Sequence, residues 1–61
     1  MSKMINNREA FTIAEINAMG NRTIKYNSET GVLVTKFGRS TINYYSEVSP
    51  GYFVATDCKT I

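Results

Sequence analysis

Hydrophobic positions along this chain change their period near residue 21. In "FTIAEINAMGN" (11–21) the signals are helical. Thr12-Ile13-Ala14-Glu15 fits a capping box, in which the threonine oxygen accepts from the amide three residues on and the glutamate bonds back. Phe11 and Ile16 are spaced as a hydrophobic staple around that cap. Gly20 supplies a left-handed residue to end the helix. The pattern predicts a helix over about residues 13 to 19. From Arg22 onward the chain alternates as strands do. "RTIKY" (22–26), "VLVTKF" (32–37), "TINYYS" (41–46) and "YFVAT" (52–56) are β-rich runs, separated by "NSETG", "GRS" and "EVSPG". The tail "DCKTI" either continues the last strand or leaves it. Short turns between consecutive strands imply antiparallel pairing, because parallel pairing needs long crossovers. The expected fold is α+β: one short N-terminal helix packed on a three- to four-stranded antiparallel meander. The polar opening "MSKMINNREA" contains a second Asn-x-x-Glu start at Asn6, and residues 1–6 are expected to be frayed.

Register decides which side chains share a face. With a five-residue loop at 27–31, Tyr26 lies opposite Val32, Ile24 opposite Val34 and Arg22 opposite Lys36. With "GRS" as the next turn, Phe37 faces Thr41 and Val34 faces Tyr44. One face then collects Ile24, Tyr26, Val32, Val34, Ile42 and Tyr44, which reads as the core. The other collects Thr23, Lys25, Leu33, Thr35, Phe37, Asn43 and Tyr45, a mixed surface of the kind that meets partners. A four-residue loop would turn Val32 and Val34 away from that core and is set aside. A slip of one residue exchanges the two faces.

The size of the chain adds a constraint. Its 61 residues make one small domain, and a chain of that length buries only about 60% of its unfolded surface. Such domains usually add disulfides, a metal or a partner chain. There is one cysteine, Cys58, and no histidine, so an internal disulfide and a histidine–cysteine zinc site are both out of reach. Self-association as a homodimer, or a tight partner, is the remaining route. Lys3, Arg8, Glu9 and Glu15 interrupt any apolar stretch near the start, which argues against a signal peptide or a membrane span there. A lone cysteine suits a reducing cytoplasm.

Charge and candidate chemistry then narrow the function. The net charge is +2. Arg22, Lys25, Lys36 and Arg39 stand against Glu29 alone between residues 22 and 45, a local excess that attracts anionic partners. No enzyme is expected: histidine is absent, Cys58 lacks an activating base and sits beside Asp57, and the five carboxylates show no acid–base spacing. The four glycines form no phosphate-cradling run, and no cofactor is expected. The capped segment resembles the first helix of a helix-turn-helix, but "NRTIKYN" after it proposes a strand where a recognition helix is required. The expectation is a small cytoplasmic binding protein that occludes a protein partner, with Arg22, Lys25, Lys36, Phe37, Arg39 and Tyr45 in contact. Short free-standing domains rich in Asn, Ile, Lys and Tyr suit an AT-rich phage or mobile element, whose accessory proteins often inhibit host factors. The alternative is a single-stranded nucleic-acid module using the same basic, aromatic surface.

Overall fold

The computed structural model describes residues 3–61. Its elements are β1 (Lys3–Ile5), β2 (Arg8–Ala10), α1 (Ile13–Ala18), β3 (Asn21–Asn27), β4 (Val32–Phe37), β5 (Thr41–Ser49) and β6 (Tyr52–Thr60). β1 and β2 make a two-stranded sheet; β3 to β6 make a four-stranded antiparallel meander in sequence order. The tail therefore continues the last strand to Thr60.

The helix forms where its cap dictates. The Thr12 amide donates to Glu15 Oε1 (2.9 Å), and the Glu15 amide donates to Thr12 Oγ1 (3.2 Å), so two amides that helix geometry leaves without partners are satisfied. α1 ends at Ala18, one residue short of the expectation, and Gly20 follows at φ +100°. Ile16 is fully buried in one cluster with Leu33, Tyr45 and Phe53, against which Phe11 and Ile13 pack.

Ahead of α1 the expectation needs correction. Asn6 does not cap a helix. Asn6 and Asn7 take φ of 53° and 63°, and Ile5 pairs with Arg8 across them. Two consecutive left-handed residues make the hairpin turn whose twist matches paired strands, and asparagine tolerates that conformation better than most residues. Lys3 to Asn6, expected to be frayed, thus supply β1 and the first turn residue, while Met1 and Ser2 lie outside the described residues. The hairpin reaches β6 at three points. Phe11 and Phe53 exchange backbone hydrogen bonds of 2.8 Å, Arg8 Nη2 donates to the Ala55 carbonyl (2.8 Å), and Lys3 Nζ stands 5.0 Å from the Tyr52 ring centre.

The sheet faces are exchanged relative to the sequence reading. Asn27 pairs with Val32, so the β3–β4 loop has four residues and not the expected five. One face carries Tyr26, Leu33 and Tyr45 in one cross-strand row and Thr23, Thr35, Asn43 and Cys58 in the next. Leu33 and Thr35 are fully buried and Tyr45 nearly so, so this is the core face. Val32, Val34, Ile42 and Tyr44, expected inside, line the outer face, all at least partly exposed. The β4–β5 register agrees with expectation: Val34 pairs with Tyr44 and Phe37 with Thr41.

Which face is buried is decided on β4 and β5, where Thr35 is fully buried and Leu33 and Tyr45 cluster with Ile16 and Phe53; on β3 a β-bulge adds to the difference. Thr23 pairs with Thr35 and Lys25 with Val34, leaving Ile24 unpaired and 53% exposed. The extra residue shifts the alternation by one, so Arg22 still faces Lys36 while Tyr26 pairs with Leu33 in place of Val32. Further irregularities fall at Val48 and Thr56. Bulges increase local twist, and the core face is concave enough for the first and last strands of the sheet to meet over it. The Tyr26 and Phe53 rings touch edge to face, with centroids 5.5 Å apart.

Candidate functional site

Three of the six expected contact residues converge. Arg22 on β3 and Lys36 on β4 are direct cross-strand partners on the outer face. Arg39 rises from the β4–β5 turn beside them. With Gly20 and Gly38 these side chains line a cleft of about 520 Å³ at one end of the sheet. Gly20 and Gly38 both hold positive φ, so the chain turns sharply at both places. A side chain at Gly20 would come within 3.2 Å of the Phe37 ring, which packs beside Gly20 on the core face.

The electrostatics of this end are one-sided. Like charges placed directly opposite one another in a ladder repel, and Arg39 adds a third. Among the described residues no ion pair to Arg22, Lys36 or Arg39 offsets this. Two guanidinium forks and an ammonium suit a carboxylate or phosphate oxygen set, which guanidinium binds through paired donors. The basic character extends along the outer face. Arg22, Lys36, Ile42 and Lys59 form one cross-strand row; Lys25, Val34, Tyr44 and Asp57 form the next. Four cations therefore share that face with one carboxylate, interleaved with half-exposed Val34, Ile42 and Tyr44.

The other expected residues separate. Lys25 is exposed on the outer face, one row from the cleft. Phe37 lies on the core face at the same end of the sheet and remains 48% exposed. Tyr45 is a correction: at 6% exposed it belongs to the core cluster, and burial raises its phenol above the usual value. It offers a partner no surface. Sequence reasoning missed Lys59 and Tyr44 as members of the basic face. The signal is present in the "GRS" register, which puts Tyr44 beside Val34, but the apolar character of that row reads as core.

The opposite end of the sheet is organised around Glu47. Tyr26 Oη donates to Glu47 Oε1 (2.7 Å), and the Gly51 amide donates to Oε2 (2.9 Å). The two bonds, that from Gly51 first, hold the Glu47 carboxyl below its ordinary pKa. The same contact raises the Tyr26 phenol. Here a carboxylate fastens the β3 strand to the β5–β6 turn, and both its oxygens are engaged. Among the described residues no three of His, Cys, Asp and Glu gather as a metal site, and no helix is long and apolar enough to cross a membrane. No protein family model, no curated protein and no solved structure matches the chain.

Proposed function

We propose that this chain is a non-enzymatic binding protein that covers an anionic site on a protein partner. One observation carries the reading: Arg22, Lys36 and Arg39 converge on an open cleft and find no acidic partner among the described residues. Folding has brought repelling charges together without compensating them, and an external anion removes that cost. The adjoining outer face supplies apolar contact through Val34, Ile42 and Tyr44, and interfaces combine an apolar centre with a charged rim in this way. The mechanism is occlusion: the cleft takes carboxylates, and the outer face spreads over the surface beside them. Inhibition of a host factor by a phage or mobile-element accessory protein is one setting for such a device.

A second reading has its own support. The Phe37 ring is 48% exposed at the same end of the sheet as the cleft, and single-stranded nucleic acids stack bases on aromatics while cations track the phosphates.

Lys36→Glu with Arg39→Glu tests both. These side chains lie outside the buried cluster, so the fold, read by circular dichroism, should persist. Capture of a protein from host extract should fall at least tenfold relative to the parent chain, and unchanged capture would overturn the proposal. A labelled single-stranded oligonucleotide separates the classes. Steep loss of oligonucleotide binding with added salt, together with no protein capture, selects the nucleic-acid reading.

A further inference from the structure

The outer edge of β6 carries a pattern that its own sheet does not use. That edge is occupied at its start, where Phe11 bridges Phe53 and Arg8 bonds the Ala55 carbonyl. Beyond Ala55 it runs open, and Thr56 to Thr60 are all exposed. The Ile61 amide donates inward to Ser40. By the two-residue alternation of an antiparallel ladder, Cys58 and Thr60 then direct their backbone groups outward. The Cys58 amide agrees with this, since it finds only the carboxylate of its own neighbour, Asp57 (2.8 Å).

We propose that this edge pairs with β6 of a second copy, antiparallel about a twofold axis at Cys58. Under that symmetry each residue meets the one at the mirrored distance from the axis. Asp57 lies opposite Lys59 of the partner copy, and Lys59 opposite its Asp57. Both side chains project on the outer face, where they pair in register with Tyr44 and Ile42. Opposite charges directly across an antiparallel pair are stabilising, and the symmetry supplies the pair twice.

Charge selects this edge over the other. Pairing β3 with itself across the same part of the strand sets Arg22 against Lys25, and these repel. Pairing β3 with β6 is heterologous and leads to rings or open filaments, not to a twofold dimer. Of the two edges of this four-stranded sheet, β6 is the one whose charges complement their own mirror image. The outcome is one continuous eight-stranded sheet, and it hides the open strand edge that small β proteins otherwise have to guard. This inference is independent of the basic cleft, which lies on the opposite strands.

A charge-swap series tests it. Sedimentation over a wide concentration range should show the parent chain moving from 6.8 kDa toward twice that mass. Asp57→Lys and Lys59→Asp should each weaken dimerisation by about tenfold or more, because each sets like charges across the axis twice. The double variant D57K/K59D restores both pairs and should return to near the parent affinity. Cys58 is the only cysteine, so a short bismaleimide should join two parent chains there, and fail to do so in D57K. A parent chain that stays monomeric throughout would refute the proposal. So would a double variant no tighter than the single ones, since that would place any self-association elsewhere.

Discussion

Replacing Leu33 and Val34 by alanine, one at a time, sets two neighbouring apolar residues against each other. They are adjacent in sequence and similar in size, so composition alone ranks them equally. The structure does not. Leu33 is fully buried with Ile16, Tyr45 and Phe53, and Leu→Ala in such a place costs about 2–5 kcal/mol, a lost transfer energy plus the cavity left behind. Val34 is half-exposed on the outer face, where Val→Ala costs below about 1 kcal/mol. At roughly 0.05–0.15 kcal/mol per residue, the whole chain is stable by only about 3–9 kcal/mol. Leu33→Ala therefore removes a large fraction of the total. In a domain of this size each kcal/mol shifts the melting temperature by about 4–8 °C, so a fall on the order of 10–30 °C is expected for Leu33→Ala, and a few degrees for Val34→Ala. Thermal and urea unfolding followed by circular dichroism read both. If Val34→Ala costs as much as Leu33→Ala, the register is displaced by one residue and the face assignment fails with it.

Two further outcomes follow from polar contacts. Glu47 has a depressed carboxyl pKa, so its contribution is present above the unfolded value near 4.5 and is lost as pH falls through the folded one. Acid titration of stability should therefore flatten in Glu47→Gln, and an unchanged acid limb would show that the Tyr26 and Gly51 bonds carry no weight. Asn21 Oδ1 accepts from both Thr35 Oγ1 (3.1 Å) and Asn43 Nδ2 (2.8 Å), tying three strands together. Asn21→Ala leaves fully buried Thr35 without that acceptor and should cost about 1–3 kcal/mol in urea unfolding.

What the chain discloses before folding is its local chemistry. Thr12, Glu15 and Gly20 announce the helix because a cap is a relation between residues a few positions apart. The "GRS" turn announces the β4–β5 register for the same reason. Arg22 opposite Lys36 agrees with the expectation because the extra residue at Ile24 offsets a loop one residue shorter than expected, and Arg39 followed from the turn itself. Beyond Ile24 the alternation of "RTIKY" continues on paper but not in the ladder. Nothing in the residue types marks the skipped position, so Tyr26 is grouped on paper with Val32 and Val34 when it lies beside Leu33. Alternation alone also does not say which face of β4 and β5 is buried, and Tyr45 enters the candidate site for that reason. Asn6-Asn7 carried a turn signal that the polar surroundings disguised as a frayed end. The cleft itself required the third dimension, because it joins Gly20 to Gly38 and Arg39 across two strands.

The skipped residues also bear on which length changes the sheet can absorb. Take out Ile24, and Thr23 still meets Thr35 while Lys25 still meets Val34. Take out Val48 or Thr56, and the partners on either side again close up unchanged, Glu47 with Phe53 and Ser49 with Tyr52, or Tyr45 with Ala55 and Tyr44 with Asp57. Loss of any other single residue from the middle of these strands inverts both faces beyond it. The meander is thus a regular ladder with three exposed spare positions, and a one-residue deletion is silent for pairing at those three and ruinous between them.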